Sequence, residues 1–282
     1  MTGSNQPSTP STFRLRRRTP GSFLLVPCPQ QNRSIRCQGQ LEGMAATILV
    51  ACPAVAHVQE QPLTIWYQWR EQSITLQIQL LETAPITRPR KQANAGVSYI
   101  VPDFLVEMTD GSKRLIEIKP SDRLAKPITL RKLEVARQFA ISESWTFHLV
   151  TEKVLLRGPL LANVQLIGRY RQTPIDRALF QTIQNMVVPQ GISLGELCMR
   201  PDETDPVRVR THVFHLLTRG ELSFDPRQEP ISDQTLIFPG GVITWDPFDS
   251  VWAPSGCSTG GLGVWSANSP PTASSPKTPN SL

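Results

Sequence analysis

Two short stretches of this chain bring acid and base side chains into register around a tight turn. Val101-Pro102-Asp103-Phe104 lies on one side of Asp110-Gly111, and Ile116-Glu117-Ile118-Lys119-Pro120 lies on the other. In extended backbone Glu117 and Lys119 share a face, because side chains alternate along a strand. A hairpin turning at Asp-Gly sets Asp103 opposite positions 117 to 119 within a residue or two. Two carboxylates and an ammonium then meet beside apolar Phe104, Ile116 and Ile118, and charges next to a core need a ligand or each other. The matching chemistry is metal-assisted phosphodiester hydrolysis. Mg²⁺ (or Mn²⁺) takes hard oxygen ligands beside a substrate phosphate, and Lys119 would steady the attacking water or the charge building on phosphorus. The bare pattern, which recurs by chance, is met more simply by a cross-strand salt bridge from Asp103 to Lys119, worth under about 1 kcal/mol if exposed.

These residues need a scaffold, and the periodicity supplies one. Leu41 to Ala51 reads as a buried helix ending before Pro53, with Glu42 in its first turn. Pro62 to Trp69 and Ser73 to Leu81 alternate as half-buried strands. Ser98 to Met108 and Lys113 to Lys119 read as antiparallel neighbours, Pro127 to Ser142 as an amphipathic helix, and Trp145 to Thr151 as a short buried strand. Helix, strands, helix and strand in that order make an α/β or α+β sandwich.

A second unit begins near Thr173. Pro174 to Met186 looks helical, Ser193-Leu194-Gly195-Glu196 forms a capping box, and Asp205-Pro206 opens a helix to about Thr218. Leu222 to Asp225 and Thr235 to Phe238 complete three helices and a ribbon, the outline of a winged helix. On the third helix Arg208, Thr211, His212, His215 and Arg219 are expected on one face and Val209, Val213, Leu216 and Leu217 on the other. That polar face suits DNA or a partner protein. A metal shared by the two histidines is not expected, since no carboxylate or thiol is placed to join them.

Composition fixes the limits. A chain of 282 residues exceeds the roughly 150 of one domain. The excess among the 26 prolines clusters near the two ends and at element boundaries, and residues 1–12 and 253–282 lack the apolar surface that would offset ordering entropy, so both read as disordered tails. The net charge of +6 is unevenly spread. Phe13 to Gln38 carries Arg16, Arg17 and Arg18 among its cations and no acid, and Thr83 to Val97 carries Arg88, Arg90 and Lys91 and no acid. Such clusters suit phosphates, although a solvated arm fits the first equally well. The apolar run after the arginines is too short for an export signal, and Gly43 to Ala56 is too short to span a bilayer. Five cysteines without a CxxC pair suggest a reduced, cytoplasmic compartment and no structural zinc.

The segments Gln40-Leu41-Glu42, Glu60-Gln61-Pro62-Leu63-Thr64-Ile65, Val101 to Val106, Leu115 to Pro120 and Trp145 to Glu152 occur in an order that resembles TnsA, the endonuclease subunit of heteromeric transposases. TnsA belongs to the PD-(D/E)xK nuclease superfamily. The resemblance covers roughly residues 30 to 170. It departs in the Gln38-Gly39-Gln40 stretch, where the family usually has a serine, and in the longer insertion from Thr83 to Val97, a candidate DNA-facing loop.

The resemblance implies an α/β fold with a restriction-endonuclease-like mixed sheet flanked by helices, in a domain expected over 13–172; the helix-and-ribbon outline puts a winged-helix domain over 173–252. It implies Glu42, Asp103 and Glu117 as acidic metal ligands, Ile118 as a carbonyl ligand and Lys119 as the catalytic lysine. For Glu42 the plainer alternative is an acid complementing the helix dipole. The implied activity is Mg-dependent cleavage of DNA at the 5′ ends of a transposon, while a DDE-type transposase, TnsB, cuts the 3′ ends. TnsC, an AAA+ ATPase, is the second implied partner. A non-catalytic scaffold of a transposition complex and a restriction or repair nuclease are the other readings of the same fold.

Overall fold

The computed structural model describes residues 23–72, 75–86, 94–174, 176–199, 205–248 and 265–266. Most of the expected terminal tails, Arg16, Arg17, Arg18, Arg88 and Arg90 lie outside them. The first unit opens with a hairpin, β1 (Leu24–Cys28) and β2 (Arg33–Cys37), followed by α1 (Gln40–Ala51). Ala45, Ala46, Ile48, Leu49 and Val50 are buried along α1. Gly43 admits the hairpin closely, since a Cβ there would meet Leu24 Cδ1 at 2.6 Å.

Next come β3 (Val55–Glu60), β4 (Ile65–Gln72), β5 (Thr75–Leu81), β6 (Ala95–Ile100), β7 (Phe104–Met108) and β8 (Lys113–Ile118). A helix, α2 (Pro127–Ser142), then crosses to β9 (Thr146–Val150), which runs parallel to β8. The strand order β3-β7-β8-β9 makes one mixed sheet, and β5-β4-β6 makes an antiparallel second one. Within the C-terminal stretch expected as a tail, Trp265–Ser266 adds a two-residue strand to Leu76 and Thr75 of β5.

One expectation needs correction: Ser98 to Met108 is not a single strand. It breaks over residues 101–103, where Pro102 has no N–H to give a ladder, and the two halves join different sheets. The break is matched in the opposite strand. Glu60 pairs with Phe104 and Ile65 with Ile100, so four residues, 61–64, oppose three, 101–103. The extra residue is a bulge with Gln61 at φ 44°. This shared bend lets the chain leave one sheet for the other and sets Asp103 at the junction.

The hairpin between β7 and β8 forms as the Asp-Gly signal implied, with Gly111 at φ 83°. After β9 come α3 (Glu152–Leu155) and α4 (Leu160–Gly168). The C-terminal unit holds α5 (Arg177–Met186), capped by Asp176, then α6 (Leu194–Met199) and α7 (Pro206–Thr218), capped by Asp205. Its small sheet orders β10 (Ile192–Ser193), β12 (Leu236–Pro239) and β11 (Leu222–Ser223). The units share residues in both directions. On α4, Leu161 and Val164 belong to the first core and Ile167 to the second. From the far end, Trp245 and Phe248 return to the core of α1, β3 and β7, and Asp246 takes both terminal nitrogens of Arg114 at 2.6–2.7 Å.

Candidate active site

The adjoining ends of β7 and β8 assemble Asp103, Glu117 and Lys119. Pairing of the two strands stops at Phe104 and Ile116, and beyond it the Ile118 amide donates to Asp103 Oδ2 at 2.6 Å. The Asp103 side chain thus takes the place of a main-chain acceptor, which fixes its direction. Lys119 Nζ lies 2.5 Å from Glu117 Oε1, 3.7 Å from Asp103 Oδ2 and 3.0 Å from the Ile118 carbonyl oxygen to which it donates. Glu117 is 2% exposed. Its Oε2 is buried with no hydrogen-bond partner.

Glu42 approaches from the first turn of α1, where Oε2 accepts the Gln38 amide at 2.7 Å. Burial, then the Asp103 charge, push its carboxyl up to about 7, against the Gln38 amide and Lys119. Burial and Asp103 likewise push Glu117 up to about 8, against Lys119 and Lys132 of α2. Burial raises Asp103 as well, opposed by Lys119 and the Ile118 amide. Burial disfavours the charge on Lys119, but Glu117 and Asp103 outweigh it and hold the ammonium above its ordinary range. Two carboxylates therefore contact one strong cation with Glu42 in electrostatic reach, and the carboxyls of Glu42 and Glu117 keep protons into the neutral range. A buried excess of negative charge of this kind calls for a proton or a cation.

As the side chains stand, Lys119 occupies the middle of the cluster. Among the described residues no three His, Cys, Asp or Glu side chains lie together as a metal-holding group. The oxygens facing Lys119 are nonetheless of the hard type that divalent cations select.

Supporting contacts escaped the sequence reading. Arg33 reaches across to Glu60 Oε2 at 2.7 Å and to the Val58 carbonyl, tying β2 to the strand that ends at the bulge. Glu152 accepts from the Ser121 amide and hydroxyl and so holds the turn after Lys119. Glu60 and Glu152 both fall within the motif segments quoted above, which was the available signal. Arg33 and Ser121 carry no periodic or motif cue.

On α7 the expected polar face is corrected. His212 and His215 are buried, 7% and 5% exposed. His212 pairs with the Arg208 carbonyl and accepts from the Asp176 amide, while His215 meets the Tyr170 carbonyl. The helix lies between α4, α5 and α6, so packing on several sides consumes positions that periodicity alone leaves to solvent. Arg208 pairs with Asp176 at 2.6 Å, Arg210 with Asp233 at 2.5 Å and Arg219 with Glu221 at 3.3 Å.

A mixed α/β architecture with two acids and a lysine gathered at one hairpin is compatible with a nuclease fold. Comparison with known families agrees: residues 52–152 match the model described as the TnsA-like endonuclease N-terminal domain. The chain thus carries a TnsA-like endonuclease domain, which points to a nuclease subunit of a transposase. The match includes Asp103, Glu117 and Lys119; Glu42 and the C-terminal unit lie outside it. No curated protein sequence matches the chain. Among the described residues no helix is long and apolar enough to cross a membrane.

Proposed function

We propose that the chain is the Mg²⁺- or Mn²⁺-dependent endonuclease subunit of a transposase, cutting the 5′ ends of a transposon while a DDE-type transposase, TnsB, cuts the 3′ ends. The observation that carries this is the convergence of Asp103, Glu117 and Lys119 at the end of β7 and β8, inside the TnsA-like segment. Asp103, Glu117 and the Ile118 carbonyl would hold the cation, with Glu42 beside them, and the unpartnered Glu117 Oε2 is the oxygen that gains most. The bound cation supplies Lewis acidity and lowers the pKa of a bound water. The Ile118 amide keeps Asp103 aimed at the site. Lys119, released from Glu117, places its ammonium against the charge that grows on the phosphate oxygens.

In the same reading the C-terminal unit is a winged helix that serves TnsC, an AAA+ ATPase, more than naked DNA. Each arginine of α7 already faces an acid, so a phosphate would have to displace a carboxylate to reach it. The test is a donor-excision assay with the chain and its transposase and ATPase partners, in Mg²⁺ and in EDTA. The expected result is 5′-end cleavage with Mg²⁺ and none in EDTA. Equal cleavage by wild type and Glu117→Ala would end the nuclease assignment.

A further inference from the structure

Among the described residues the second sheet has one face packed and one face uncovered. Ile65, Tyr67, Trp69 and Ile100 point inward onto Leu133, Ala136 and Ala140 of α2. Arg131 of the same helix stacks over Trp69 at 3.5 Å. Strand alternation puts the neighbouring residues outward. Gln68, Arg70, Gln77, Gln79 and Tyr99 are exposed there, and Trp66 is half-buried against Tyr99 with ring centroids 4.9 Å apart. The register sets Gln68 opposite Gln79, Arg70 opposite Gln77 and Trp66 opposite Tyr99. Among the described residues no acid lies on this face, and the other described side chains there are aliphatic.

We infer that this face is a binding track for an unpaired DNA strand leaving the cleavage site. Its aromatic end adjoins the site: Tyr99 precedes Asp103 by four residues, at most about 14 Å of chain. Rings of Trp and Tyr offer stacking surfaces to unpaired bases, and glutamine amides both donate to and accept from base edges. A duplex hides those faces and edges, and one arginine alone makes a poor duplex phosphate track. The absence of acid and the presence of Arg70 match a polyanion. A protein partner is the other conceivable occupant; a face whose most exposed positions are Gln68, Arg70, Gln77 and Gln79 suits it less.

The identity of the polymer rests on the nuclease reading, so binding is measured without cleavage. The full-length chain in EDTA is titrated against fluorescein-labelled oligothymidylate and against a duplex of matched length, with anisotropy as readout. Wild type is expected to bind the oligothymidylate, and Gln68→Glu/Gln79→Glu to weaken it about tenfold while duplex affinity stays within about twofold. Tyr99→Ala is expected to weaken the single strand and Tyr99→Phe to preserve it, because the ring and not the hydroxyl stacks. Unchanged melting temperatures establish that the variants fold. No oligothymidylate binding by wild type, no loss in the double variant, or equal losses for both DNAs overturns the proposal. A chain that binds the strand by this face yet never cuts leaves this surface standing and removes the nuclease reading; one that cuts while its variants bind normally removes only this surface.

Discussion

The main-chain amide of Gln61 donates to the carbonyl oxygen of Asp103 at 2.9 Å. With the Ile118 amide on its carboxylate, Asp103 is held at both ends of the residue. The bulge at Gln61 is thus the support of the acid at the sheet junction, and an acid fixed before its ligand arrives loses little entropy on binding.

Asp103→Ala and Glu117→Ala are each expected to lower cleavage at least a hundredfold, since each removes a ligand from a site with very few. Circular dichroism of both proteins should match wild type. Lys119→Ala should slow turnover more than it weakens DNA affinity, because its role lies in the transition state. Single-turnover rates set beside binding isotherms make the distinction; a loss confined to affinity would reduce Lys119 to a phosphate contact.

Stability without divalent metal should fall as pH rises. In the folded chain Glu42 and Glu117 hold protons up to about 7 and about 8, against an ordinary value of 4.5. From about pH 4.5 to 8 the folded state therefore binds more protons than the unfolded one, and stability present below 4.5 is lost across that window. Melting temperatures in EDTA at pH 5.5 and 8 measure the slope, and Glu117→Gln should flatten it. Mg²⁺ favours the ionised carboxyls, so it should raise the melting temperature more at pH 8 than at pH 6. A flat or rising metal-free profile would contradict the buried-acid account.

Trp245→Ala should cost about 3–5 kcal/mol in urea unfolding, the usual loss for a large aromatic taken from a packed core. Trp245 is 6% exposed and packs in the first unit. A loss well under that range would mean that the returning segment only rests on the surface.

Charge reversal at Arg208 and Arg219 should leave naked-DNA affinity and its salt slope unchanged and abolish pull-down of the ATPase partner. Both arginines are already paired with acids. A weaker, less salt-sensitive interaction with DNA would instead make α7 a DNA helix.

The sequence made the site's strands legible because alternation, the Asp-Gly turn and the two-residue spacing of Glu117 and Lys119 are local signals. The capped helices were equally plain: Asp205-Pro206 opened α7 where expected, and Pro127 opened α2. What stayed hidden was set by distant partners. The break at Pro102 depends on a bulge forty residues earlier at Gln61. His212 and His215 read as surface residues because their covering neighbours lie on other helices. The Arg33–Glu60 contact joins strands with no shared motif.

The return of Trp245 and Phe248 to the first core bears on how the chain is made. Synthesis runs from the amino end, and domains generally fold in that order as they emerge. Here the first unit leaves the ribosome first but lacks two of its large buried aromatics until residue 248 has been added. Its final packing therefore waits for nearly all of the C-terminal unit, and a chain stalled between the two carries an open-sided core.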